Sequence, residues 1–202
     1  MFRNLRLSCA ALALSVLVPS LVGAEVIHSR FRGESASATF YEHSTYCIQT
    51  YTDLSVTEIA NNGDNGQLSL YVSEYDRCED TYSTVFYAWA SLPRAAYSTS
   101  GGHLSTASLR FTVVGYGRAG DPGSAALDLT WTGTGEIYNG RSTTSGQWGS
   151  FGRFMTQSSG SSRDATVSGS LIVESRNLAA TEEAYGALEI SSEASKTIYF
   201  PH

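Results

Sequence analysis

Period-two alternation of apolar and polar residues recurs from residue 35 to the C-terminus, and helical periodicity is nearly absent. Side chains of an extended strand point alternately to opposite faces, so such a pattern buries one face and leaves the other wet. Ala36, Ala38 and Phe40 alternate with Ser35, Ser37 and Thr39. Ile48, Leu54 and Val56 share one parity of a second run, and Leu68, Leu70 and Val72 share one parity of a third. Later runs are Val85-Tyr87-Trp89, Leu109-Phe111-Val113, Leu127-Leu129-Trp131, Val167-Gly169-Leu171-Val173 and Ile198-Phe200. Turn-forming stretches separate them: Asn61 to Gly66, Tyr97 to Gly102, Gly117 to Gly123, Asn139 to Gly146, and Ser158 to Arg163. Only Asn177 to Leu188, with Ala179, Ala180 and Ala184, has the composition of a short helix. The pattern predicts an all-β chain, an antiparallel β-sandwich of about eight to ten strands, with a closed antiparallel β-barrel as the alternative.

Residues 1–24 read as a secretory signal peptide. Arg3 and Arg6 form a basic leader, Leu7 to Val18 an apolar stretch, and Val22-Gly23-Ala24 a small-residue cleavage site. The apolar run is too short for a signal anchor and is broken by Pro19. Cys9, preceded by Arg6-Leu7-Ser8, stands at the start of the apolar stretch rather than after it, which argues against a lipoprotein acceptor. The expectation is a secreted or periplasmic chain cleaved after Ala24, with residues 25–202 as one β domain and 136–202 as an alternative second subdomain.

An exported chain folds in an oxidising compartment, where Cys47 and Cys78 are expected to pair as a disulfide. Residues 46 to 59 and 67 to 77 form a predicted hairpin joined through Asn-Asn-Gly-Asp-Asn-Gly, which supplies the positive-φ positions of a reversal. Both cysteines then lie at its open end. Strand parity puts Cys47 outside and Cys78 inside, so the bridge requires a bulge between Val72 and Cys78. A weak repeat of Leu68 to Arg77 in Leu109 to Arg118 places Gly115 at the corresponding phase change.

Without Arg3 and Arg6 the chain carries 11 basic and 19 acidic residues. The arginines are scattered along the sequence, Lys196 is the one lysine, and no polybasic run occurs. That balance argues against nucleic acid or anionic lipid as the main partner. No segment after the leader is apolar enough for a membrane helix, and no Asn-x-Ser/Thr acceptor occurs.

Three segments carry a resemblance: Tyr46-Cys47-Ile48, Tyr75-Asp76-Arg77-Cys78, and Leu129-Thr130-Trp131-Thr132-Gly133-Thr134-Gly135. Together they resemble a loose group of secreted bacterial all-β proteins with no assigned activity. The resemblance spans about residues 46 to 135, implies an exported β protein, and offers no catalytic residue to transfer.

Few residues signal chemistry. Asp76, Glu79 and Asp80 around Cys78 are weak calcium candidates, with solvated turn residues as the competing reading. His28, His43, His103 and His202 form no HxH or HxxxH pair, so zinc is not expected, and no cofactor is predicted. A Gly-x-Ser-x-Gly elbow is absent. Glu42, Asp53, Glu58, Glu74, Asp128, Glu136 and Glu174 lie near predicted strands, where two of them could meet as a glycosidase pair. Trp131 shares the parity of Leu127 and Leu129 and is assigned to the core. Trp89, in a run apolar on both parities, is assigned there too. Trp148 lies among glycines and is the ligand-binding candidate, with Tyr138 and Phe151 nearby; the competing reading has it fold back to close one end of the sandwich. The functional expectation is a non-enzymatic binding or structural module whose partner is a glycan or an extracellular protein. A hydrolase using a carboxylate or Ser-His pair and a small outer-membrane β-barrel are the alternatives.

Overall fold

A computed structural model describes residues 25–59, 66–100, 103–181 and 183–200. The leader, the hairpin tip, Gly101-Gly102 and His202 lie outside these residues, as do the expectations attached to them. Nine long strands and two short ones alternate antiparallel: β1 (Glu25–His43), β2 (Ile48–Ile59), β3 (Gly66–Asp76), β4 (Thr81–Leu92), β5 (Tyr97–Thr99), β6 (Thr106–Gly117), β7 (Pro122–Gly133), β8 (Tyr138–Trp148), β9 (Gly152–Val173), β10 (Arg176–Asn177) and β11 (Glu183–Tyr199). A 3-10 turn, Arg118–Gly120, links β6 to β7. Among the described residues no helix is long and apolar enough to cross a membrane.

The all-β antiparallel expectation is met. Ladders run β9-β11-β1-β2-β3-β4-β6, and β7 then joins β6 back to β9. The sandwich is therefore joined at both edges into a circuit, closed most narrowly between β4 and β6 by Phe86 opposite Gly117 and Tyr87 opposite Tyr116. One apolar core fills the interior. Even-numbered residues of β1 to β3 and odd-numbered residues of β6 and β7 supply it, as the alternation predicts. Phe40, Leu54, Leu70, Phe86, Leu129 and Leu171 are all buried, and Trp131 sits among them with its indole Nε1 donating to the Ser37 carbonyl at 2.7 Å.

The hairpin of β2 and β3 forms as expected, and Cys47 and Cys78 are joined by a disulfide with Cα atoms 5.4 Å apart. The route to that bridge differs from the expectation. β2 and β3 pair without a register shift from Ile48 opposite Asp76 to Thr57 opposite Gln67. Cys78 lies beyond the ladder in the turn after β3, so it reaches Cys47 free of strand parity, with the Arg77 amide donating to the Cys47 carbonyl at 2.8 Å. The shift at Val72/Ser73 belongs to the β3–β4 ladder, where Val85 of β4 is the extra residue.

Gly115 marks no phase change either, because β6 pairs with β7 in unbroken register. Its hydrogen makes room for a close approach: a Cβ there would stand 2.3 Å from the Tyr87 carbonyl oxygen and 2.7 Å from Ala88 Cβ, where β6 meets β4.

Other stretches read as turns or helix are strands. Asn139 to Gly146 lies in β8, Ser158 to Arg163 in the middle of β9, and Tyr97 to Thr99 forms β5. The proposed helix from Asn177 to Leu188 is instead the end of β10, a turn and the start of β11. Asn177 Oδ1 accepts from the Leu171 and Ala179 amides and holds that turn, and Ala184 to Leu188 pair with β1, so tertiary pairing overrides the alanine composition. Beyond the core the ends of β1, β11 and β9 continue with β8 as a four-stranded wing, in which β8 and residues 25–32 of β1 are the outer strands.

Candidate functional site

Cross-strand register builds the outer surface in rows, because directly paired residues point to the same side of a sheet. One row crosses five strands: Thr39, Asp53, Tyr71, Tyr87 and Tyr116. The adjacent row is Ser37, Ser55, Ser69 and Trp89. Small serines beside tall tyrosines leave a groove of about 680 Å³, with Val114 of β6 as a further lining residue. A second hollow of about 450 Å³ shares Ser55, Ser69 and Trp89 and extends to Thr57, Gln67 and Ser91. Trp89 thus stands between two adjoining hollows, and its 85% exposure leaves its ring uncovered.

The groove walls are held in place by their own contacts. Tyr87 and Tyr116 stack at 5.3 Å between centroids. The hydroxyls of Tyr71 and Thr84 hydrogen-bond at 3.1 Å. Thr39 Oγ1 donates to Asp53 Oδ1 at 2.9 Å, and the Tyr51 hydroxyl bonds to the same carboxylate. That bond, with burial and the negative charge of Asp53, pushes the Tyr51 phenol up to about 12. The folded value exceeds the ordinary 10, so the stabilisation is complete below pH 10 and is lost as pH rises through about 12. Burial also raises the Tyr97 phenol, so absorbance titration of tyrosinate should show more than one late-ionising phenol, of which one moves to lower pH in Asp53→Asn; an unchanged titration would contradict the pairing.

The structure corrects the assignment of Trp89 to the core. The extra residue in β4 buries both Val85 and Phe86, after which Ala88 and Leu92 face inward and Tyr87 and Trp89 face out. Small Ala88 and Ala90 opposite Leu70 and Leu68 were the signal in the sequence. Trp131 is buried, as expected.

The structure keeps Phe151 beside Trp148 and sets Tyr138 apart from both. Tyr138 and Trp148 are the two ends of β8 and stand about 30 Å apart at ~3.3 Å per residue. Trp148 is stacked on Phe154 at 5.1 Å and lies 6.1 Å from Tyr199, and it is about half as exposed as Trp89. Phe151 follows in the next turn, its amide donating to the Trp148 carbonyl at 2.9 Å, and is half exposed. Tyr138 lines a separate trough on the wing of about 710 Å³, with Phe31 among its other lining residues and serines and glycines making up much of the rest.

Two of the three calcium candidates, Asp76 and Asp80, have other partners. Asp76 Oδ1 accepts from the Cys78 and Glu79 amides, capping the turn, and Asp80 accepts from the Tyr75 hydroxyl at 2.8 Å. Asp76 also lies beside Cys47 and Cys78, whose sulfurs are consumed by the disulfide and are not thiolate ligands.

Among the acids named from the sequence, Glu42 and Glu74 meet, while Glu58 lies opposite Glu34 in the β1–β2 ladder. Arg176 donates to Glu42 at 2.9 Å and to Glu74 at 3.4 Å, and also to the Ser44 and Thr50 hydroxyls. Arg118 takes the other oxygen of Glu74. Both carboxylates are thus bound by guanidinium groups, an arrangement that ties β1, β2, β3 and β10 together. Neither is left free as the general acid or nucleophile of a glycosidase. Asp128, another acid on the same roster, pairs with Arg110 at 3.6 Å.

No family model matches this chain, and neither the curated proteins nor the solved structures contain a match to it.

Proposed function

We propose that this chain is an exported, non-enzymatic binding module that takes a glycan in the groove beside Trp89. The observation that carries the reading is the exposed Trp89 ring standing over a row of serines and flanked by Tyr71, Tyr87 and Tyr116. Sugar rings offer apolar C–H faces to aromatic rings and hydroxyls to polar edges, and this surface supplies both. Asp53, Thr39 and the serine row provide acceptors and donors at the groove floor. The disulfide is compatible with an extracellular or periplasmic setting, which the leader suggests independently.

The other readings receive less support. A hydrolase needs a free acid and base, and the acids Glu42 and Glu74 that come together are tied to Arg176. A membrane barrel carries its apolar band outside and polar groups within, whereas this chain packs its apolar residues inside and presents serine, threonine and tyrosine rows to the exterior.

Affinity electrophoresis against a panel of neutral polysaccharides tests the proposal. Retardation on at least one glycan is expected, and Trp89→Ala should weaken it at least tenfold, about 1.4 kcal/mol. Trp148→Ala should leave it unchanged. No retardation on any glycan, or equal retardation of the Trp89 variant, would sink the reading.

A further inference from the structure

The basic residues that look scattered in the sequence converge on one face of the wing. Pairing sets His28 opposite Lys196, Arg32 opposite Ser192, Ile198 opposite Arg153, and Arg141 opposite Ser159. Parity then places Arg30, Arg32, Arg141, Arg153, Lys196 and His28 on the same side of β8, β9, β11 and β1. Five of the 13 Lys and Arg residues of the whole chain are gathered there, all on exposed positions. Glu34, 3.7 Å from Arg32, is the one acidic residue among the paired positions of this face. The reverse face carries Glu25, Glu189 and Glu193 and no Lys or Arg at its paired positions. A chain with acidic excess has therefore sorted its charges across a sheet four strands wide.

We infer that this face binds a linear acidic polysaccharide, one bearing a carboxylate on successive sugars. Charge complementarity is the first argument. The second is spacing: His28, Arg30 and Arg32 repeat along the outer strand at about 6.6 Å, two residues per step, which suits a chain of regularly placed anions rather than one compact anion. A third comes from what lies between the charges. Gln157, Thr143, Ser145 and Ser159 present amides and hydroxyls matched to sugar hydroxyls. Single-stranded nucleic acid is held by successive aromatic rings that stack its bases, whereas the paired positions of this face hold no Phe, Tyr or Trp and Phe200, just past the β11 ladder, lies under the Arg153 guanidinium at 5.9 Å. The surface is separate from the Trp89 groove and does not depend on it.

The test uses the whole chain lacking residues 1–24, with polygalacturonate as probe and binding followed across a sodium chloride titration. Binding is expected to weaken as salt rises. Arg32→Gln/Lys196→Gln at one edge and Arg141→Gln/Arg153→Gln at the other should each weaken it at least tenfold and flatten its salt dependence. Two variants on different strands keep the test sound if one folds poorly. Glu193→Gln, on the reverse face, should bind as the parent does. Failure to bind polygalacturonate, binding by both basic-face variants as tight as the parent's, or tighter binding to oligothymidylate or to phosphatidylglycerol vesicles would overturn the proposal.

Discussion

Trp131→Ala is expected to lower the free energy of unfolding by about 3 to 5 kcal/mol, the range for removing a large aromatic side chain from a packed core. Trp131 is fully buried, and its indole crosses the interior from β7 to donate to the Ser37 carbonyl of β1. The side chain therefore bridges opposite parts of the strand circuit by packing and by a hydrogen bond. Its removal leaves both a cavity and a part-buried carbonyl without that donor, and the two losses add. For a domain of this size the thermal midpoint should fall on the order of 10 °C. Trp131→Phe separates the terms: it keeps most of the packing, so a loss near half that of the alanine variant is expected. A drop below about 1 kcal/mol for Trp131→Ala would mean that the core does not close on this residue.

Opening the Cys47–Cys78 bridge is expected to cost about 3 to 4 kcal/mol through the chain entropy of the loop it closes, with a sequence separation of 31. The bridge ties the open end of the β2–β3 hairpin. Urea titration of the oxidised chain and of Cys47→Ser/Cys78→Ser should show a lower midpoint for the variant. The slope should also rise, because a chain without the link exposes more surface when unfolded. An equal midpoint in the two proteins would place the stability of this hairpin elsewhere.

Much of the fold was legible because alternation is a local signal. Ala36 to Phe40, Leu68 to Val72 and Leu127 to Trp131 each declare their buried face within five residues, and the structure buries them as read. Misreadings arose where a nonlocal fact decides. The extra residue in β4 is set by pairing with β3, and without it Val85, Tyr87 and Trp89 look like a single inward parity. Ser158 to Arg163 and Asn139 to Gly146 have turn composition, yet β9 is paired on both sides there, and the ladders outweigh local preference. Cys78 needed no bulge because the turn after β3 frees it from parity.

The sites were less legible for the same reason. Asp53, Tyr71, Tyr87 and Tyr116 come from four strands and become a row only through three successive registers. Arg176 reaches Glu42 across 134 residues of sequence. The basic face requires the register of four strands at once, so no polybasic run announces it. By contrast the sequence did lead to looking for an exposed aromatic. It selected Trp148 for its glycine neighbours, where the structure supplies Phe154 as cover.

The chain's three tryptophans occupy three different environments, which allows one measurement to decide where a glycan binds. Trp89 stands exposed in the groove, Trp131 is buried, and Trp148 is stacked on the wing. Each indole N–H gives its own signal in a proton–nitrogen correlation spectrum, assigned by single replacement. On titration with a neutral oligosaccharide that retards the protein in gels, the Trp89 signal should shift progressively to saturation while those of Trp131 and Trp148 stay in place. Saturable movement of the Trp148 signal with Trp89 unmoved would contradict the account and return the site to the wing.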